Sequence, residues 1–106
     1  LEVLNFYNNV PGVFDAEIFE ELVTRPGLKI ERIISSGQST PPGEWYDQEK
    51  EEWVILLTGS ACLTFEGDDT DYNLLPGDYI LIPAHKRHRV KRTDPVNKTI
   101  WLALHF

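Results

Sequence analysis

Beyond Gly27, every apolar run in this chain is short and ends at a turn residue. Residues 29–35, 53–57, 61–66, 79–82 and 99–106 are apolar or alternate apolar with polar, and shorter runs of the same kind fill 44–48, 72–75 and 88–92. Between them stand a Gly37–Gly43 loop, Thr58-Gly59, Gly67-Asp68-Asp69, Pro76-Gly77-Asp78, Pro83 and Asp94-Pro95. Glycine and proline at such intervals leave no room for a helix of ordinary length and cut the chain into strands. Eight or nine short strands predict an antiparallel sandwich or barrel. At 106 residues and 42% hydrophobic content, the chain has the size and apolar supply for one domain.

The first residues read differently. A turn is expected at Val10-Pro11-Gly12-Val13, followed by one helix over residues 15–24. Asp15 is placed to cap it, and Glu17 falls in the first turn, where the helix dipole favours an acid. Phe14 and Phe19 have the spacing of a hydrophobic staple. Arg25-Pro26-Gly27 would stop the helix, and Ile18, Phe19 and Leu22 would pack it on the outside of the strands. The expected organisation is therefore an N-terminal segment at 1–28 and a strand-rich body at 29–106, in one domain.

Ten Lys and Arg against 17 Asp and Glu leave a net charge of -7. That balance argues against a nucleic-acid partner, which calls for a basic face. No apolar run approaches the roughly 18–20 residues of a membrane span, so no membrane partner is expected. Residues 1–7 lack a basic region followed by an apolar core, so no signal peptide is expected, and the missing initial Met suggests a trimmed chain. The single cysteine, Cys62, excludes an internal disulfide and every multi-cysteine metal site, and it suits a reducing, cytoplasmic setting. In mid-strand it reads as a buried thiol rather than a nucleophile.

Two stretches carry the chemistry. One runs Glu44-Trp45-Tyr46-Asp47-Gln48 to Glu52 and on to Gly59; the other runs from Gly77 through Pro83 and His85 to His88. Here the chain resembles the cupin superfamily. Glu52 and Gly59 stand at the spacing of the glutamate and glycine that end the family's first motif. Gly77, Pro83 and His88 match the glycine, proline and metal-binding histidine of the second. The resemblance covers roughly residues 30–105, and the Trp-Tyr-Asp-Gln run looks like that of small, stand-alone bacterial cupins. It implies an all-β double-stranded β-helix, a jelly-roll cupin barrel, here with one short N-terminal helix. The first motif's His-x-His pair is absent, and its places fall on Trp45 and Asp47 or on Tyr46 and Gln48. His85 replaces the glycine after Pro83, and Arg92 replaces the closing asparagine.

The resemblance implies a divalent-metal site built from Asp47, Glu52 and His88, with Gln48 or His85 completing it. This oxygen-rich set suits Mn, Fe, Zn or Ni, and loss of the His-x-His pair leaves open that no metal is bound. Glu52 is also the expected catalytic acid or base. Residues two apart on a strand share a face. Val54 and Leu56 should therefore point inward with Glu52, and Val90 and Arg92 with His88. Arg92 would then hold an anionic substrate bidentately, with Trp45, Tyr46 and His85 lining the pocket. Three functions follow: a metal-dependent cupin acting on a small anionic or carbonyl-bearing molecule, a metal-free metabolite-binding module, or a structural dimeric barrel. Whether the chain is an enzyme stays open, because this fold hosts unrelated activities. A homodimer is expected, with the apolar Trp53, Ile55 and Leu57 face as the interface.

Overall fold

The computed structural model describes residues 1–12 and 14–106; Val13, the last residue of the expected turn, lies outside them. The chain forms β1 (Ile18–Arg25), β2 (Leu28–Ser35), β3 (Glu52–Thr58), β4 (Ala61–Phe65), β5 (Tyr72–Leu74), β6 (Tyr79–Ile82), β7 (His88–Thr93) and β8 (Thr99–His105). Two antiparallel sheets result, one ordered β1-β2-β8-β3-β6 and the other β5-β4-β7. Inward residues of both, among them Val54, Leu56, Ala61, Leu63, Phe65, Leu74 and Trp101, form the core between them.

The expected helix over 15–24 is instead β1. Pro26-Gly27 does not stop a helix; it turns a hairpin in which Arg25 pairs with Leu28 and Phe19 with Ile33. Gly27 supplies the positive φ of 78° that this turn requires. Seven register pairs with β2, one of them Glu20 opposite Arg32, hold the strand, and this pairing overrides the local helix signals. The Glu20 carboxylate accepts two hydrogen bonds from the Arg32 guanidinium, at 2.8 and 3.0 Å. Arg32 also donates to the carbonyls of Phe6 and Asn8 and so ties the N-terminal segment to the sheet.

The expected closed jelly-roll barrel is likewise corrected. Neither sheet closes: β1 and β6 are the free edges of one, and β5 and β7 of the other. β5 has only three residues, too few to carry pairing around a corner. The free edge of β7 is taken by the loop that contains Thr40 and Tyr46. Thr40 N–H donates to the Val90 carbonyl at 2.8 Å, and Tyr46 and His88 exchange backbone hydrogen bonds at 2.7 and 3.1 Å. The 44–48 segment is thus a single bridge at Tyr46 rather than a strand. The edge is satisfied without meeting the other sheet. Among the described residues no helix is long and apolar enough to cross a membrane.

Candidate functional site

Four strands present a polar residue to the inter-sheet space at the same end. Glu31 on β2, His105 on β8, Glu52 on β3 and His88 on β7 are each no more than 7% exposed. The register explains the convergence. His105 pairs with Glu52 across β8 and β3, and both β3 and β7 begin at their polar residue. His105 Nε2 lies 2.7 Å from Glu31 Oε1, so its N–H donates to that carboxylate, and 3.9 Å from Glu52 Oε2. Glu52 Oε1 lies 3.6 Å from His88 Nε2. That is too long for a hydrogen bond and close enough for one small group to bridge the two.

His88 is fixed in orientation. Its Nδ1 is 2.9 Å from the Lys86 carbonyl, which can only accept, so Nδ1 carries a proton and Nε2 faces inward. Its ring lies against Tyr46 at 5.6 Å and Phe65 at 5.9 Å between centroids. A cavity of about 50 Å³ opens on this pair. At the roughly 10–15 Å³ that one water claims by this measure, it admits a few waters or one end of a small molecule. Its polar lining is Glu17, Glu31, Tyr46, Gln48, Glu52 and His88, and no Lys or Arg lines it. Ser35 donates to Glu17 at 2.6 Å. Burial nevertheless holds the Glu17 carboxyl above its ordinary value, the hydrogen bond opposing. Burial first, and then the Glu17 carboxylate, also raise the Tyr46 phenol, which stays a protonated donor at neutral pH.

Of the residues expected at the site, Glu52, His88, Gln48 and Tyr46 line this cavity. Asp47 and His85 lie outside it on exposed loops and pair with each other at 2.9 Å. His85 adopts a left-handed φ of 59° and donates its N–H to the Gln48 carbonyl. Trp45 lies outside the cavity, in a surface depression with Thr40, Pro41 and Glu44 that Tyr46 also lines. Arg92 is exposed and donates to the Asn73 side chain at 3.1 Å. The alternation that would turn it inward breaks in β7. There the register jumps from Arg92 opposite Cys62 to Val90 opposite Leu63, so one extra residue flips Arg92 to the outer face. Cys62 is buried, and burial raises its thiol pKa, as expected of an inert thiol.

Glu31 and His105 are the residues that sequence reasoning missed. Their signal was a polar residue at the inward phase of an apolar strand, two before Ile33 and two after Ala103. A resident metal on Asp47, Glu52, His88 and Gln48 needs these donors at one point, and catalytic metal centres use three protein ligands. Glu52 and His88 converge, but Asp47 does not. Among the described residues no three His, Cys, Asp or Glu side chains are arranged to hold a metal. The expected set of Asp47, Glu52, His88 and Gln48 is therefore not assembled around one ion, because Asp47 pairs with His85 outside the cavity.

A family model described as Cupin_2, cupin domain, matches residues 33–105. A solved structure from Ralstonia eutropha, described as a candidate mannose-6-phosphate isomerase, is 48% identical. It covers 99% of this chain and 97% of its own, with a TM-score of 0.94. A cupin superfamily protein from Desulfitobacterium hafniense is 20% identical over 92% of this chain and 83% of its own, at a TM-score of 0.75. A conserved protein of unknown function from Streptococcus pyogenes is 24% identical over 98% and 85%, at 0.74. At that identity the last two show the fold alone. No curated protein matches the chain.

Proposed function

This chain belongs to the cupin superfamily, and on that premise we propose that it acts on a small carbonyl- or hydroxyl-bearing molecule by acid–base chemistry without a resident metal. The observation that carries this reading is the Glu52 and His88 pair. Both side chains are more than nine-tenths buried, and their facing atoms are 3.6 Å apart without a hydrogen bond between them. Both also line the same cavity. A general base and a general acid are needed within hydrogen-bond reach of one ligand.

In the proposed step, Glu52 takes a proton from the carbon beside a carbonyl while protonated His88 gives one to the carbonyl oxygen. His88 then takes the proton of the neighbouring hydroxyl, and Glu52 returns its own to the former carbonyl carbon. The net reaction is an isomerisation that needs no co-reactant. The isomerase description of the Ralstonia relative supports this class. The outer face of the large sheet, where Trp53 stacks on exposed Tyr79 near Leu81, suits a second copy of the chain. Light scattering should then give a dimer, and a monomer at working concentration would remove that part of the reading.

Proton exchange tests the pair. Aldoses, ketoses and their phosphates are incubated with protein in deuterated water, and deuterium at the carbon beside the carbonyl is followed by NMR. Wild type should label one of them, and Glu52→Gln and His88→Asn should each slow labelling by at least about a hundredfold. Full activity in Glu52→Gln would overturn the proposal. So would about one metal per chain in protein purified without chelator, if His88→Ala loses it.

A further inference from the structure

The cavity at Glu52 and His88 is acidic, yet a basic groove lies beside it. The groove encloses about 410 Å³ and is lined by Arg25, Lys29, Lys50, Glu49, Gln48 and His105, with other residues of the β1–β2 hairpin. Gln48 lines both spaces. The register sets them side by side: Lys29 pairs with His105, and His105 with Glu52, so the three share one row across β2, β8 and β3. Two strand spacings of about 4.8 Å separate Lys29 from Glu52 along that row.

Three of the chain's ten Lys and Arg line this groove, in a molecule of net charge -7. Two of them are not spent on structure: among the described residues Lys50 forms no ion pair, and Arg25 donates only to its neighbour's carbonyl at 2.8 Å. Lys29 forms a loose ion pair with Glu31 at 3.8 Å. With Glu49 as the only carboxylate in the lining, the groove carries a charge of about +2, and guanidinium and ammonium groups are the natural donors to a phosphate.

We propose that this groove binds a phosphate monoester dianion. The ligand is then a small phosphorylated carbonyl or hydroxy compound with its phosphate on Arg25, Lys29 and Lys50 and its unphosphorylated end at Glu52 and His88. The placement of the second end rests on the acid–base reading above; the groove itself does not. The division also explains how an acidic cavity serves an anionic ligand, since the charge stays outside it.

Amide NMR titrations of the wild type and the Arg25→Ala/Lys50→Ala double variant test this, with inorganic phosphate, mannose and mannose 6-phosphate as probes. Both altered residues are exposed and lie outside the core and the acid–base pair. Phosphate should shift amides at 24–29 and 48–50. Mannose 6-phosphate should shift these and also Glu52 and His88. The double variant should weaken both by at least about tenfold and leave mannose unchanged. Unmoved groove amides, equal binding by the double variant, or shifts spread equally over Lys86, Arg89 and Lys91 would overturn the proposal. Groove shifts without any at Glu52 and His88 would keep the phosphate site and overturn the acid–base reading.

Discussion

The two ends of the inter-sheet space are built from the same strands and have opposite character. Near the β3–β4 turn, Leu56, Ala61 and Thr99 are completely buried. At the other end the same sheets offer Glu31, Glu52, His88 and His105, with a cavity among them. On β3 the change from Glu52 to Leu56 takes four residues, and on β8 the change from Trp101 to His105 takes four. One end uses its burial for cohesion. The other buries polar groups at a cost in stability and gains a place for chemistry.

The closed end is the more sensitive to substitution. Gly59 has a φ of +79°, and a Cβ there would meet Thr99 Cα at 2.8 Å and the Lys98 carbonyl at 2.9 Å, as well as the Thr99 hydroxyl. Those contacts are largely backbone and cannot swing aside. Gly59→Ala is expected to lower stability by about 2–4 kcal/mol in urea unfolding. A loss under about 1 kcal/mol would show that this end is less tightly packed than these contacts imply.

At the open end the sign should reverse. Glu52 is buried, and among the described residues its carboxylate makes no hydrogen bond, the nearest ring nitrogens being His88 Nε2 at 3.6 Å and His105 Nε2 at 3.9 Å. Glu52→Leu is therefore expected to raise stability by about 1 kcal/mol, because an ionisable group leaves a buried site. The same variant should lose all proton exchange. Destabilisation would mean that Glu52 holds the end together.

The smallest effect is expected at Glu17. Its carboxyl is raised by burial, with the Ser35 hydrogen bond opposing, so ionisation is harder folded than unfolded. That penalty is absent below the ordinary value of 4.5 and complete above the raised one. Glu17→Gln should therefore raise Tm at pH 7, with the gain shrinking to nothing as the pH falls below 4.5. A gain that persists in acid would assign the effect to packing instead.

Much of this was legible along the chain. Glu52 and His88 stood out because family spacing surrounds them, and the inward phase of Val54, Leu56 and Val90 followed from alternation. Arg92 followed the same rule and failed it, because a bulge inserts one residue and no local signal announced it. Residues 15–24 failed for another reason. Pro26-Gly27 ends a helix as readily as it turns a hairpin, and only the ladder to β2 chooses between them. Asp47 and Gln48 differ by one position, and the bridge at Tyr46 decides which of them meets the cavity.

The sequence by itself determined that the chain is cut into short strands, that its charge is acidic, and that a glutamate and a histidine occupy cupin positions. These are properties of neighbours and spacing. Only the tertiary structure decided that the sheets stay open, that Glu31 and His105 join the buried polar end, and that Arg25, Lys29 and Lys50 meet beside it. Glu31 and His105 lie 74 residues apart along the chain, and Lys50 lies well beyond the hairpin that carries Arg25 and Lys29; strand register, a long-range hydrogen-bonding choice, is what brings them together.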